Sequence, residues 1–255
     1  MRDRHDEISV CNLGVVPYSD GVALQETLRA RRQAGAIADT LLLLEHPPTY
    51  TRGRRADAAE LPFPASFYEA KGIELHATDR GGRITYHGPG QLVGYPIMGV
   101  TDVHRHLRLM EAAIVGALGQ AGVSARSRRA EGIDYTGVWV GERKIASLGV
   151  HISRGISTHG FAVNVDNDLE PFSWVIACGL AEVRMTSLAA ESSGDCESVS
   201  CFRRRIAHSF CEAQGRRQRL VSPQRLGIST ANPIGGAERR PIKNVSTPVL
   251  EKVPA

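Results

Sequence analysis

Three stretches of the chain hold residue types whose spacing could do chemistry. The first is Arg80-Gly81-Gly82-Arg83-Ile84-Thr85-Tyr86-His87-Gly88-Pro89-Gly90-Gln91. Glycine has no Cβ, so backbone can approach a ligand closely there. An arginine, a threonine hydroxyl and a histidine so near each other can orient a polar substrate group. On the residues alone, a tight turn between strands with His87 as an ordinary hydrogen-bonded side chain is the plainer explanation. The second stretch is Gly141-Glu142-Arg143-Lys144-Ile145-Ala146-Ser147-Leu148-Gly149. Burial disfavours an ammonium, so a lysine desolvated among these small and apolar neighbours could serve as a base. A solvent-facing strand lysine is the commoner occurrence. The third is Pro171-Phe172-Ser173-Trp174-Val175-Ile176-Ala177-Cys178-Gly179-Leu180. Free cysteine is most often a small buried hydrophobe. A Cys-Gly pair ending an apolar run could instead expose a thiol beside backbone N–H groups able to receive an oxyanion. Cys11 falls in an expected strand, and Cys196, Cys201 and Cys211 lie in or around a late helix. With no C-x-x-C pair and no clear histidine partner, a zinc site is not expected.

The elements that must carry these residues follow from periodicity and breakers. Residues 8–17 read as a strand ending near Pro17. Residues 19–34 read as a helix, with Asp20 as cap and Val22, Leu24, Leu28 and Ala34 as apolar positions. Thr40 to Glu45 is an apolar run of strand length. Residues 52–72 read as loop, broken by Pro62 and Pro64, and 74–78 as a short strand. Gln91 to Met98 is a further strand. Residues 102–122 form an amphipathic helix with Val103, Leu107, Met110, Ile114, Ala117 and Leu118 on one side and Gly122 as its stop. Residues 132–165 alternate as antiparallel strands with turns at Gly141-Glu142 and Gly155. Residues 197–214 are expected to be helical, with Val199, Phe202, Ile206 and Phe210 buried. The sum is an α/β chain of the α+β type, with a mixed, largely antiparallel sheet packed by helices.

Composition narrows the class. The 255 residues are 42% hydrophobic and 23% charged, as in folded globular proteins. No apolar run approaches the ~20 residues that span a bilayer. The charged start Met1-Arg2-Asp3-Arg4-His5-Asp6-Glu7 has no signal-peptide pattern behind it, so a cytoplasmic protein with free thiols is expected. The net charge of +4 is concentrated from residue 216 onward, while the rest is nearly neutral. That basic end lacks interleaved aromatics and any nucleic-acid-binding signature, and it reads as a solvated, disordered tail. Neither G-x-x-x-x-G-K-[ST] nor a well-placed G-x-G-x-x-G is present.

Taken in order, the three stretches resemble the lipoyl(octanoyl) transferases of lipoate synthesis. R-G-G-x-x-T-Y-H-G-P-G-Q at 80–91 carries most of the resemblance. G-x-x-K-I-A-S-L-G at 141–149, His159-Gly160-Phe161-Ala162-Val163-Asn164-Val165 and Cys178-Gly179 reinforce it. It runs from about Asn12 to Ala190. It implies the catalytic-domain fold shared with biotin–protein and lipoate–protein ligases. It implies transfer of an octanoyl group from octanoyl-acyl carrier protein to a lysine of lipoyl domains, those of 2-oxoacid dehydrogenase complexes and of the glycine cleavage H protein. Cys178 is then the nucleophile that carries the acyl group and Lys144 its activator. Arg80, Gly81, Gly82, Arg83, Ile84, Thr85, Tyr86, His87, Ser147, Leu148, Gly149, Gly160, Phe161 and Ala162 correspond to substrate contacts. The thioester donor is already activated, so no ATP, metal or other cofactor is implied. An ATP-dependent lipoate or biotin ligase on the same scaffold is the alternative. A monomer is expected, with residues 1–215 as catalytic domain and 216–255 as tail, and with neither nucleic acid nor membrane as partner.

Overall fold

The structure is a computed structural model that describes residues 6–176, 183–192 and 198–228. It opens with β1 (Glu7–Val15), α1 (Tyr18–Gln33) and β2 (Thr40–Glu45). β1 and β2 are parallel, so α1 is the crossover between them. In β2, Leu41 and Leu43 enter one core while Leu42 and Leu44 enter another. That is the two-residue period of a strand covered on both faces. β3 (Thr49–Arg52), α2 (Ala65–Ala70), β4 (Glu74–Ala77) and β5 (Ile84–His87) follow, and the three strands form a small sheet in the order β4-β3-β5.

The chain then returns to the main sheet through β6 (Gln91–Ile97), antiparallel to β2. α3 (Val103–Gln120) leads to β7 (Arg126–Ser127), β8 (Gly137–Val140), β9 (Arg143–Ser153) and β10 (Ile156–Asn164). β11 (Arg184–Met185), α4 (Leu188–Glu191), α5 (Val199–Ala213) and β12 (Arg217–Leu220) complete the described elements. Among the described residues the main sheet has nine strands. Eight run in the order β12-β1-β2-β6-β10-β9-β8-β7, and β11 pairs with β9. From β2 through β7 every neighbouring pair in that order is antiparallel. The fold is therefore α/β with a mixed, mostly antiparallel sheet.

Helices cover both faces. α3 and α5 lay Met110, Ile114, Leu118, Phe202, Ile206 and Phe210 on one side, and α1 lays Leu28 on the other. A third cluster, built on Tyr50, Tyr68, Tyr86 and Phe172, backs the small sheet. Asp102 and Ser198 start α3 and α5 by accepting the backbone N–H of Arg105 and Cys201, which satisfies donors the helix itself leaves open. None of the described helices is long and apolar enough to cross a membrane.

Several sequence expectations change here. The cap of α1 is at Pro17, and Asp20 lies within the first turn, where its carboxylate faces the positive end of the helix dipole. The inner face of α1 is Tyr18, Gly21, Gln25 and Leu28 rather than an aliphatic stripe, because part of it faces the cleft described below. The 52–72 segment holds a 3-10 turn (Ala58–Glu60) and α2. Pro64 occupies the N-cap of α2, where a missing N–H costs nothing, so it starts a helix instead of breaking one. Residues 84–87 are a strand and not part of a turn. The basic end does not leave the body at residue 216. β12 pairs in parallel with β1, Leu226 is buried, and Arg31 donates to its carbonyl. Residues beyond 228 lie outside the described part.

Candidate active site

The two sheets meet along a cleft of about 230 Å³. One wall is the loop Arg80–Arg83 with Ile84, Thr85 and His87 of β5. The floor is Val93 and Tyr95 of β6, Gly160, Phe161 and Ala162 of β10, and Lys144, Ser147, Leu148 and Gly149 of β9. Val103 and Leu107 of α3 close the other side. Apart from Tyr86 and Cys178, every residue to which the sequence assigns a site role lines this one cavity. Tyr86 does not line it; its ring packs at 5.5 Å from Phe172 in the cluster behind the small sheet. Cys178 lies outside the described residues.

The loop is held from within. Arg80 is 8% exposed, and its guanidinium donates to the Thr51 carbonyl (2.6 Å), the Thr51 hydroxyl (2.7 Å from Nη2), the Arg83 carbonyl (2.8 Å) and the Gly81 carbonyl (3.0 Å). Its donors thus shape the Gly-Gly turn. Arg83 pairs at 2.6 Å with Glu60, which is itself buried and also accepts the Ile84 N–H. The loop lies so close to β9 that a Cβ on Gly149 would stand 2.7 Å from the Gly81 carbonyl oxygen. Only a bare α-carbon fits there.

Lys144 is 2% exposed. Its strand position is fixed on both sides: Trp139 of β8 and Met185 of β11 pair with it, and the Thr186 N–H donates to its carbonyl at 2.9 Å. Its Nζ lies 5.4 Å from the centre of the Trp139 ring, within the range over which a side-chain nitrogen meets a ring face. Gly137 makes room for it, since a Cβ there would meet Lys144 Cε at 2.6 Å.

Histidines crowd the cleft around Tyr18 and Tyr95. His87 is buried and donates from Nδ1 to Gln91 Oε1 at 2.7 Å. Burial, then the neighbouring His46, hold its pKa well below the ordinary histidine value. His46 is brought down to about 4 by burial. Its Nδ1 faces the Val16 carbonyl and its Nε2 meets the Tyr95 hydroxyl at 2.7 Å. His159 takes a positive φ of 55°. Its backbone N–H donates to Gln25 Oε1 at 2.6 Å, and its ring reaches Asp79 at 2.8 Å. Burial lowers the His159 pKa against the pull of Asp79. For Asp79 the order is reversed: burial pushes up, and the His159 hydrogen bond with the charges of His159 and His151 brings the net shift down.

The sequence reading missed several cleft residues. Tyr18 falls between the expected strand and helix, Tyr95 lies in a strand read only for its burial pattern, and His159 opens the H-G-F-A-V-N string that reinforces the resemblance without being given a site role. Val103 and Leu107 were expected in the buried stripe of α3, yet Val103 is 40% exposed and both line the cleft. A second exposed apolar side chain, Ile133, joins them at the mouth, beside an Asp134 gripped by Arg55 at 2.9 Å. Chemically, the arrangement offers apolar walls for a chain-like ligand, one buried lysine, and two imidazoles, His87 and His159, whose pKa values burial holds down.

Comparison with known proteins agrees. The family profile described as the lipoyl protein ligase A/B catalytic domain matches residues 17–211. An octanoyltransferase from Solibacter usitatus (strain Ellin6076) is 46% identical over 204 residues, covering 78% of this chain and 90% of that protein. A mitochondrial octanoyltransferase from Arabidopsis thaliana is 42% identical over 190 residues, covering 72% and 79%. A crystal structure of lipoate-protein ligase A bound with ATP aligns with a TM-score of 0.71 at 20% identity, over 84% of this chain and 88% of that one, which speaks for the fold.

Proposed function

We propose that this chain, which belongs to the octanoyltransferases of the lipoyl protein ligase A/B catalytic-domain family, moves an octanoyl group from octanoyl-acyl carrier protein to a lysine of a lipoyl domain. The observation that carries the reading is the cleft itself. Its walls at Val93, Leu107, Leu148 and Phe161 suit an extended acyl chain, and a buried Lys144 stands on the same lining.

Cys178 is the nucleophile in this reading. A cysteine thiol is mostly protonated at neutral pH, with an ordinary pKa near ~8.5, and only the thiolate attacks well. Lys144, as the neutral amine, takes the thiol proton, and the resulting ammonium stabilises the thiolate. The sulfur then attacks the donor carbonyl. A new C–S bond forms, the carrier's C–S bond breaks, and the leaving sulfur takes the proton from Lys144. In the second half the acceptor amine attacks the acyl-enzyme carbonyl. The C–N bond forms, the Cys178 thiolate leaves, and Lys144 takes one proton from the nitrogen. No step uses ATP or a metal.

The catalytic unit in this reading includes the packed residues through Ile228. The acceptors are the lipoyl domains of 2-oxoacid dehydrogenase complexes and the glycine cleavage H protein, and the protein works in the cytoplasm as a monomer. Purified protein mixed with octanoyl-acyl carrier protein and an apo lipoyl domain, without nucleotide, tests this directly. Octanoylation of the domain lysine is the expected result. Modification only from free octanoate with ATP would identify a ligase instead.

A further inference from the structure

The direction of one buried hydrogen-bond chain can be read from its ends. Tyr86 and Thr186 each contribute a backbone carbonyl, which can only accept. Asn164 Nδ2 donates to the Thr186 carbonyl at 2.9 Å, so Asn164 Oδ1 is left to accept from Gln91 Nε2 at 2.9 Å. Gln91 Nε2 also donates to the Tyr86 carbonyl at 3.0 Å. Gln91 Oε1 must then be the acceptor facing His87 Nδ1 at 2.7 Å. The proton of neutral His87 is thereby placed on Nδ1, and Nε2 carries a lone pair. Among the described residues Nε2 has no hydrogen-bond partner, and His87 lines the cleft. The same chain reaches the lysine strand, because the Thr186 N–H donates to the Lys144 carbonyl.

We propose that His87 accepts a hydrogen bond from the attacking amine in the second half of the reaction, with Gln91 and Asn164 as the positioning residues that hold it in the accepting tautomer. The proposal rests on the octanoyl-transfer reading. An acceptor at this place could serve a thiol or an amine, and the surroundings choose between them. Serving a thiol means taking its proton and becoming a cation. His87 is buried, and His46, Arg80 and His159 all oppose a positive charge on it, against the single pull of Gln91. The Tyr18 ring, stacked at 6.1 Å, adds no charge. An attacking amine asks for less. Of its two N–H groups, one loses its proton to Lys144 and one remains in the amide product. A neutral acceptor on the remaining N–H aims the nitrogen lone pair at the carbonyl without receiving a proton.

Two measurements test this. The first is the tautomer in the wild-type protein, read from long-range ¹H–¹⁵N couplings of labelled histidine. Expected is a proton on Nδ1 of His87 and no charging of that ring within the ordinary histidine range. A proton on Nε2, or a ring that charges within that range, overturns the proposal. The second separates the half-reactions by rapid quench and intact mass. His87→Ala should slow transfer to the lipoyl domain about 30-fold, and acylation from octanoyl-acyl carrier protein by a distinctly smaller factor. His87→Gln, whose side-chain oxygen can approach the Nε2 position, should recover part of the loss. Equal slowing of both halves, or slowing of acylation alone, refutes the role given to His87 while leaving octanoyl transfer intact. A wild-type protein that neither acylates nor transfers refutes octanoyl transfer itself, whatever the tautomer.

Discussion

Two buried polar clusters occupy opposite ends of the central strands, and they are built differently. At one end Asp39 accepts from Arg32 and Arg216, each at 2.6 Å, and from the Gly99 N–H at 3.1 Å. It ties α1, β2, the exit of β6 and the entry to β12 by charge. At the other end, Gln91 at the start of β6 and Asn164 at the end of β10 join His87 to Thr186 without a single formal charge. A buried ion group holds elements together only while every partner remains, because an unpaired buried charge is costly. A neutral amide chain fixes the direction of donors and acceptors and adds no net charge to the cavity that Lys144 lines. The first cluster serves the fold and the second serves the site.

Breaking each cluster should therefore give different kinds of loss. The largest effect is expected in the site. Cys178→Ala should abolish turnover, and Lys144→Met should lower it by about 10³-fold, both with the urea midpoint of wild type. If Lys144→Met unfolds the chain instead, the lysine is structural. Asp39→Ala should do the reverse. It leaves Arg32 and Arg216 half-buried and unpaired, at a cost of about 3 kcal/mol, visible as a lower urea midpoint. The rate of the molecules that remain folded should stay within about twofold.

Acid sharpens the same contrast. His46 at the cleft end and His106 at the other are both brought down to about 4, in each case by burial. The unfolded chain binds their protons near pH ~6.5. Their contribution is complete above that pH and is lost as pH falls toward 4, by up to about 3 kcal/mol for each ring. Asp39 behaves otherwise. Burial raises its pKa, but Arg32, Arg216 and the Gly99 N–H bring the net shift down, so its contribution survives throughout that window. Urea midpoints measured between pH 7 and 4 should fall steadily, and more steeply in Asp39→Ala, because Asp39 pulls the His106 pKa up against burial. A flat profile would mean that neither histidine is held neutral. The smallest effect belongs to the cleft mouth. Val103→Asp should raise the KM for the octanoyl donor about tenfold, corresponding to loss of roughly one buried valine, with stability unchanged because Val103 is 40% exposed.

How much of this was legible in the sequence follows from range. The turns at Gly141 and Gly155, the strand of β2 and the helices α3 and α5 were legible because turn residues and apolar periods act locally. Gly155 with Arg154, both at positive φ, is the two-residue hairpin that its sequence suggests. Pro64 misled because the same residue that breaks a helix interior also begins one. Val103 and Leu107 misled because periodicity reports an apolar face and not whether a core or a cleft covers it. The site strings at 80–91 and 141–149 could be marked as chemistry, and the resemblance assigned roles within them. That Gln91 meets Asn164, far along the chain, depends on β6 pairing with β10. No local pattern carries that pairing, so the tautomer of His87 becomes readable only in the fold.

The central claim is that this cleft passes the acyl group through a bond to Cys178. The most direct measurement is the intact mass of the protein after mixing with octanoyl-acyl carrier protein in the absence of any acceptor. The account predicts a gain of one octanoyl group, removed by neutral hydroxylamine and absent in Cys178→Ala. Transfer that proceeds at full rate once an acceptor is added, with no acyl-enzyme formed and with Cys178→Ala still active, would contradict it.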